Sequence, residues 1–402
     1  MEIIQTPSLR FQEFSEIWLS KTTGEISDCI VPGRNKPKQF NGNIPWITTP
    51  DIEHGSVITS SKIGLALTKE EAKSVGSKIV PTNSVIISCV GELGLVAVTV
   101  SDIVINQQLH AFIPFKDINY RFLMYSLTKR KEYITKVATK TAVPYLNKTN
   151  CNSIPIFVPS LPEQQKIAAF LTVVDDKIQQ LSKKKALLEN YKKGIMQQIF
   201  SQEIRFKDDD GREYTDWEEK QLGLLSDVRD GTHESPRYHK VGYPLVTSKN
   251  LMNDGRIDLK NVSLISKTDY KNINKRSHVD VGDILFAMIG TIGNPVLVKS
   301  NGFAIKNVAL IKPGNSLLNS YLIQYLKSPK IDKQFYEKNA GGTQKFLSLS
   351  VIRLLFVEVP SISEQHKIAN FLSAIDNKID QVNQQLENTK QYKKGLLQQM
   401  FI

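Results

Sequence analysis

The sequence has 402 residues, with 52 Lys and Arg against 40 Asp and Glu, a formal net charge of +12 and 41% apolar residues. These values are typical of a globular protein and exclude a disordered or fibrous chain, and the length predicts two or three domains. No apolar run reaches the length of a membrane span and residues 1–10 lack a signal pattern, so we expect a cytoplasmic protein without membrane contact.

The cysteines and the isoelectric point restrict the function further. Cys29, Cys89 and Cys151 are widely spaced and never form a C-x-x-C pair. This spacing favours neither a disulfide framework nor a four-ligand zinc site, and we expect no metal. The sequence pI near 9.3 favours binding to a polyanion, because basic side chains beside phosphates release counterions.

Residues 1–160 are predicted to form a first α+β module. Short apolar strands flank glycine turns, as in VIISCVGELGLVAVTV from Val85, and a helical stretch covers residues 120–136. The pair Gly91 and Gly94 lies between two β-type runs, which indicates a hairpin turn rather than a phosphate-binding loop.

A long helix is predicted over residues 161–202, and a second one over residues 362–402. The segment from Glu163 recurs from Glu364, and 18 of 40 aligned positions are identical, although none of the nine between Ser182 and Asn190 is. Apolar residues recur every 3.5 positions in both helices, which predicts a coiled-coil seam. Its predicted members are Ile167, Leu171, Val174, Ile178, Leu181, Ile368, Leu372, Ile375, Ile379 and Val382.

Residues 203–361 are predicted to form a second module related to the first. The second module contains YPLVTSKNL from Tyr243, which corresponds to IPWITTPDI from Ile44 in the first. It also contains ILFAMIGTIGNPVLV from Ile284, which corresponds to the first hairpin. The predicted fold is therefore α+β, with two globular domains separated by two long helices that form an antiparallel coiled coil, in a pseudo-twofold internal repeat. Separate packing of each helix on its own domain is the alternative.

Each module carries a polar, basic loop before a Thr-containing turn. Such side chains reach phosphates and base edges, with Arg suited to guanine and Asn to adenine. Solvated surface is the alternative interpretation of each loop, but their matched placement favours DNA binding. The candidate residues are Arg34, Lys36, Lys38, Thr48, Thr49, Thr232, His233, Arg237, Lys249 and Asn250.

Searches for catalytic motifs find little. The sequence has no GxxxxGK[ST] phosphate loop and no HExxH zinc motif. The run from Gly293 shares only its Asn-Pro start with the tetrapeptide of amino-methyltransferases, and His233 and His239 lack further ligands at metal-binding spacing. We therefore expect no catalytic residue in this chain.

The sequence resembles the specificity subunits of type I restriction-modification enzymes. The resemblance rests on the repeated E-Q-x-K-I-A-x-F-L helix starts, D-G-T-H-x-S-P from Asp230, G-D-I-L from Gly282, G-T-I-G from Gly290 and G-T-Q from Gly342. The first module departs from it, since it has no D-G-T-H run and reads G-E-L-G in the hairpin turn.

The resemblance implies two target recognition domains, each reading one half of a bipartite site in double-stranded DNA. It also implies that the chain is not itself an enzyme and docks two methyltransferase subunits and restriction subunits, which bind S-adenosylmethionine and ATP. A stand-alone methyltransferase or nuclease, and a coiled-coil scaffold, are the competing functions.

Overall fold

We describe the chain from a computed structural model. The structure describes residues 6–33, 35–290, 293–338 and 347–402. Arg34, the centre of the G-T-I-G turn and the G-T-Q run lie outside these residues. Within the described ranges, no helix combines the length and the apolar character needed to cross a bilayer.

The chain divides into two compact units, and the division falls inside both long helices. Unit 1 comprises Met1–Ser182 and Gln384–Ile402, and unit 2 comprises Lys183–Asn383. Each unit therefore holds one module, the first half of the helix that follows it, and the second half of the helix from the other repeat. This division differs from the segment boundaries that sequence suggests at residues 160, 202 and 361.

Unit 1 consists of short strands and short helices that precede one long helix. Its elements are β1 (Leu19–Thr22), α1 (Thr23–Ile26), β2 (Ser27–Ile30), β3 (Ile44–Ile47), β4 (Ser56–Ile58), β5 (Ala66–Leu67), α2 (Lys69–Ser74), β6 (Ile79–Val80), β7 (Val85–Ser88), β8 (Val96–Thr99), β9 (Ile103–Ile105), β10 (Leu109–Pro114), α3 (Tyr120–Thr128), α4 (Lys131–Val137), α5 (Lys148–Asn152), β11 (Pro155–Val158) and the start of α6 (Leu161–Phe200).

Three sheets organise unit 1, in the orders β1-β11, β2-β10-β7-β8-β4 and β5-β3-β9-β6. Strands β7 and β8 form the predicted hairpin, and Gly91 and Gly94 take positive φ angles of 79° and 74° in its turn. The predicted helix over residues 120–136 is instead two helices, because the chain turns between Thr128 and Lys131.

Unit 2 repeats this plan with fewer strands. Its elements are the end of α6, β12 (Glu218–Gln221), α7 (Leu222–Leu225), β13 (Val228–Asp230), β14 (Tyr238–His239), β15 (Tyr243–Val246), β16 (Ser263–Ile265), α8 (Lys267–Ser277), β17 (Ile284–Ala287), β18 (Gly293–Leu297), β19 (Ala304–Ile305), β20 (Val308–Ile311), α9 (Asn319–Tyr325), α10 (Pro329–Lys338), α11 (Leu349–Arg353), β21 (Phe356–Val359) and the start of α12 (Ile362–Met400).

The sheets of unit 2 run in the orders β12-β21, β13-β20-β17-β18 and β14-β16-β15-β19. The central sheet matches that of unit 1 strand for strand, apart from its last strand. Helix α8 has no clear apolar repeat in the sequence, and the pattern did not predict it. Its start is defined by Ser266, whose hydroxyl accepts a hydrogen bond from the amide of Asp269.

Both long helices are present, and their seam residues are packed. Eight of the ten predicted seam side chains are buried, and Ile178 and Ile379 are half-buried. The first three of each helix also belong to the core of its own module. In unit 1 this core joins Leu171 to Phe122 and to Phe401 at the end of α12. The start of each helix thus packs on its module and on the end of the other helix within one unit.

The E-Q pair that opens each repeat is a buried anchor. The carboxylate of Glu163 accepts two hydrogen bonds from Arg10, both 2.7 Å, and one from the Trp18 indole at 3.3 Å. Glu364 makes the same contacts with Arg205 and Trp217 in unit 2. An acidic group also suits the first turn of a helix, where amide groups lack partners.

Candidate nucleic-acid interface

The loop that follows β13 is fixed at its base by the buried carboxylate of Asp230. This carboxylate pairs with Arg276 and lies 2.8 Å from Nε2 of His233, whose Nδ1 is 2.8 Å from Oδ1 of Asn307. The hydrogen bonds with Asn307 and Asp230 raise the pKa of His233 above its ordinary value. The D-G-T-H run thus holds an exposed imidazole that keeps its positive charge at higher pH than a free histidine.

The next residues of this loop cross the end of β19. A Cβ on Gly231 would lie 2.3 Å from the carbonyl oxygen of Ile305, so no larger residue fits there. Thr232 forms a parallel bridge with Lys306, and the Lys306 ammonium donates to the hydroxyl of Ser235 at 2.6 Å. Hydroxyl, imidazole and ammonium groups are therefore gathered at one end of the sheet.

A Thr-containing turn lies beside this loop in unit 2, and an equivalent turn lies in unit 1. The Asn250 side chain is buried, accepts from the amide and hydroxyl of Thr247, both at 2.9 Å, and donates to two carbonyl groups. In unit 1, Asp51 accepts from the amide and hydroxyl of Thr48 at 2.8 and 2.7 Å. Asn250 and Thr48 therefore shape the turn from within.

The exposed neighbours of these turns differ between the units. In unit 2, Arg237 and Lys249 are exposed, and among the described residues neither pairs with a carboxylate. In unit 1, the Thr49 hydroxyl donates to Oε1 of Gln108 at 3.1 Å, and the Asn106 amide donates to the same oxygen at 3.2 Å. The turns and strand ends thus present Lys249 in unit 2 and the amides of Asn106 and Gln108 in unit 1, whereas basic side chains lie on the preceding loop of both units.

The basic loop of unit 1 borders a concave surface. Lys36 and Lys38 are exposed on the segment between β2 and β3, and the Glu71 carboxylate holds this segment by accepting from the Lys38 amide at 2.7 Å. Lys36 lines a hollow together with Trp46 and the amide side chains around Asn106. The candidates Lys36 and Thr49 therefore border one surface, whereas Lys38 lies outside the hollow.

Sequence reasoning missed several polar residues of this surface. Asn106 and Gln108 follow β9, and Lys306 and Asn307 follow β19. In both modules these polar residues come directly after a buried β-type run. That transition is visible in the sequence, but the pairing of β3 with β9 and of β15 with β19 is what brings it beside the basic loops.

The family described as "Type I restriction modification DNA specificity domain" matches residues 18–190 and 214–391, which together cover most of the chain. The chain belongs to this family. The match confirms the resemblance found in the sequence, and its two segments follow the internal repeat.

Several relatives of this DNA specificity family align over much of the chain. The MjaIX specificity subunit of Methanocaldococcus jannaschii is 24% identical over 94% of this chain and 90% of the relative. The EcoR124I/EcoR124II specificity subunit of Escherichia coli is 29% identical over 42% of this chain and 43% of the relative.

Solved structures share the fold at low sequence identity. The S subunit of a type I restriction-modification system from M. genitalium has a TM-score of 0.66 at 16% identity and covers 99% of both chains. A chain from a study of complex assembly and conformational transition of the type I R-M system has a TM-score of 0.54 at 16% identity, over 95% of this chain and 96% of that one.

Proposed function

We propose that this chain is the DNA specificity subunit of a type I restriction-modification complex, without catalytic activity of its own. Each module reads one half of a bipartite site in double-stranded DNA. The family match and the named specificity subunits support this role. The observation that carries the two-part target is the repeated loop-and-turn surface, which has one backbone plan and two different sets of exposed side chains.

The proposed DNA contacts are the exposed members of the candidate set together with the half-buried Thr49 and Thr232. In unit 2 they are Thr232, His233, Arg237 and Lys249, together with Lys306. In unit 1 they are Arg34, proposed from its position in the sequence, with Lys36, Lys38, Thr49 and Gln108. Thr48 and Asn250 act indirectly in this proposal, because their hydrogen bonds hold the turns that present the contact residues.

The chemistry of the two surfaces predicts two unlike half-sites. Amide side chains pair well with adenine, and Arg and Lys pair well with guanine in the major groove. Unit 1 combines amide side chains around Gln108 with its basic loop, whereas unit 2 presents basic residues around Arg237 and Lys249, so the two surfaces favour different bases. The target is expected to be asymmetric rather than palindromic.

The two long helices are proposed to pair as an antiparallel coiled coil that sets the distance between half-sites. Within unit 2, Lys192 lies 2.6 Å from Asp376 and Lys185 lies 2.9 Å from Asn383. The contact seven residues further along α12 is thus made seven residues earlier along α6, as expected for antiparallel helices. The pair of Lys393 with Asp175 in unit 1 has the same register.

The second half of each helix is proposed to dock a methyltransferase subunit. Tyr191 and Tyr392 are 54% and 57% exposed and open the same Y-K-K-G segment, so folding alone does not explain their identity. Gly194 and Gly395 lie inside helices, where glycine costs about 1 kcal/mol relative to alanine, although a Cβ would meet nothing within 4 Å. A partner that approaches the helix backbone explains both glycines.

Two equivalent docking segments imply two methyltransferase subunits, with restriction subunits joining the same complex. S-adenosylmethionine and ATP then bind to the partners rather than to this chain. The isolated chain is expected neither to methylate nor to cleave DNA.

The function is tested by expressing the chain with its methyltransferase partner and sequencing the methylated genome. We expect one asymmetric bipartite motif. Arg237→Ala should relax a single half-site, and Gln108→Ala should relax the other, each by about 1–3 kcal/mol of discrimination. Methyl transfer by the purified chain alone, or a palindromic motif, contradicts the proposal.

A further inference from the structure

All three cysteines of the chain meet in the core of unit 1, together with His110. Cys29 lies on β2, His110 on β10, Cys89 directly after β7 and Cys151 on α5. Their exposed fractions are 9% or less. The absence of a C-x-x-C pair led us to exclude a four-ligand metal site from the sequence. That exclusion is not supported, because adjacent strands and a short helix bring distant residues together.

The ligand atoms of this cluster lie at metal-binding distances. The sulfurs of Cys89 and Cys151 are 3.7 Å apart, and Nδ1 of His110 is 3.2 Å from the Cys151 sulfur. Around a tetrahedral Zn²⁺ with typical bond lengths, two sulfurs are about 3.8 Å apart and a sulfur and a nitrogen about 3.6 Å apart. One ligand atom from each of Cys89, His110 and Cys151 lies within 4.8 Å of the others.

Cys29 lies beside these three residues and supplies a fourth donor. It sits on β2 opposite Phe112 of β10, two residues from His110, whereas the tightest group of ligand atoms comprises Cys89, His110 and Cys151. All three cysteines are free thiols in the structure. Three sulfurs and one imidazole nitrogen form the Cys₃His donor set of closed structural zinc sites.

The equivalent positions in unit 2 show which residues fill this part of the core when no metal ligands are present. The pairing of the strands identifies the equivalent positions in the two units. A backbone hydrogen bond extends the match, because the Leu347 amide donates to Met288 just as the Leu146 amide donates to Cys89. Cys29, Cys89, His110 and Cys151 correspond there to four buried apolar residues, namely Val228, Met288, Ala309 and Ile352.

The apolar set in unit 2 argues against simple core packing as the reason for the cluster. The same four buried positions of the shared fold hold only apolar side chains in unit 2, whereas in unit 1 they hold three thiols and one imidazole. A buried imidazole is costly unless its polar atoms have partners, and Nδ1 of His110 lies beside the Cys151 sulfur. Thiolate and imidazole ligands select Zn²⁺ over hard cations such as Mg²⁺ and Ca²⁺.

We propose that Cys29, Cys89, His110 and Cys151 bind a structural Zn²⁺ ion in unit 1. The ion joins β2, β10, the end of β7 and helix α5, so it fixes the segment that leads into β11 and α6. Because all four positions are closed by protein ligands, the ion has a structural role and no catalytic one.

The test is the metal content of the full chain, purified under reducing conditions and dialysed against metal-free buffer. We expect about one zinc per chain, as for one closed site. Replacement of zinc by Co²⁺ should give the visible bands of tetrahedral cobalt and the near-ultraviolet sulfur-to-cobalt transition. A chain that holds no zinc, and whose metal-free form gives neither signal with Co²⁺, overturns the proposal.

The matched control replaces the cluster with the residues of unit 2, as Cys29→Val, Cys89→Met, His110→Ala and Cys151→Ile. This variant should keep its far-ultraviolet circular dichroism and lose its zinc. A second control, His233→Ala, removes a surface imidazole and should leave zinc binding unchanged. Retention of zinc by the four-residue variant, or its loss in His233→Ala, places the metal elsewhere and overturns the proposal. If the four-residue variant does not fold, Cys151→Ser decides the matter by its cobalt spectrum.

Discussion

Glu364 has no exposed surface, yet it is ionisable, and its acceptor sites are occupied by Arg205 and Trp217. Removing water from a carboxylate costs several kcal/mol unless charge and hydrogen bonds replace the water. The arginine comes from the segment that follows α6, so the anchor ties the start of α12 to the end of the other long helix within unit 2. Arg10 and Glu163 repeat this tie in unit 1.

Loss of one partner from this anchor should be strongly destabilising. Arg205→Met leaves Glu364 buried without a counter-ion, and we expect unit 2 to lose about 3–5 kcal/mol of unfolding free energy. Urea unfolding combined with hydrogen exchange measures this loss for each unit. The double variant with Glu364→Gln removes the charge as well and should recover most of the loss. Equal destabilisation of both variants would show that the charge is not the cause.

The raised pKa of His233 predicts that DNA binding by the proposed interface depends on pH. The imidazolium and its contact with Asp230 are fully present below the ordinary histidine pKa, and they are lost as pH rises through the raised pKa. Affinity for DNA should therefore fall with pH across this window, by about fivefold for one lost charge contact, or about 1 kcal/mol.

The control for this pH effect is His233→Gln, which keeps hydrogen-bonding capacity without a titrating group. Its affinity should be nearly flat between pH 6 and 8, a window around the histidine pKa of roughly 6.5. A wild-type profile that matches the variant would remove His233 from the proposed interface. Measurements at constant ionic strength are needed, because phosphate contacts are screened by salt.

At the scale of single elements, each of the two long helices contributes residues to several packed or exposed surfaces. Their first halves complete module cores, their apolar seams pack within each unit, and their second halves repeat a Y-K-K-G segment that opens with an exposed tyrosine. The seam is not wholly apolar, since Lys192 and Lys393 occupy seam positions and pair with aspartates. A polar pair in a seam fixes register at some expense of stability.

Replacing Gly194 and Gly395 with alanine distinguishes an effect on stability from an effect on docking of the methyltransferase subunit. Gly194→Ala and Gly395→Ala should each raise the unfolding free energy by roughly 0.5–1 kcal/mol, because the added methyl meets open space and favours helix. If a methyltransferase subunit approaches the backbone there, the same change weakens its binding. Native mass spectrometry should show one bound partner for each single variant and none for the pair. Full binding with increased stability would contradict the docking surface.

A matched heptad insertion tests the helices as the spacer. Seven residues inserted after Lys184 and seven after Asn383 lie opposite each other in the register of the Lys185–Asn383 contact. They preserve the seam and add about 10 Å, or roughly three base pairs. The methylated motif should keep its half-sites and gain spacer length. Insertion in one helix alone should disrupt packing, and an unchanged spacer in the matched variant would show that another element sets the distance.

At the scale of the whole molecule, the repeat determined how much the sequence could predict. The two long helices and the hairpins were visible because their apolar periods are regular and recur. The partners of Glu163 and Glu364 were not, since Arg10 and Arg205 lie outside any periodic segment. The cysteine cluster was missed for a related reason, because strand order in a mixed sheet decides which distant residues meet.

Truncation tests the division into units. A chain that ends at Asn383 loses residues 384–402, and with them Leu396, Met400 and Phe401 of the unit 1 core. We expect hydrogen exchange to show loss of protection throughout unit 1, whereas unit 2 keeps its protection because its residues are contiguous. Equal protection of unit 1 in both chains would mean that the end of α12 is not part of its core.

The same division sets an unusual order of events during synthesis on the ribosome. Domains generally fold from the N-terminus as they emerge, but unit 1 lacks part of its core until residues 384–402 are made. Unit 2, although second in the chain, has all its residues first. At about 5–20 residues per second, residues 384–402 take roughly 1–4 s to make. We expect that during this interval the nascent chain contains every residue of unit 2 but an incomplete core in unit 1, which exposes apolar surface that chaperones can bind.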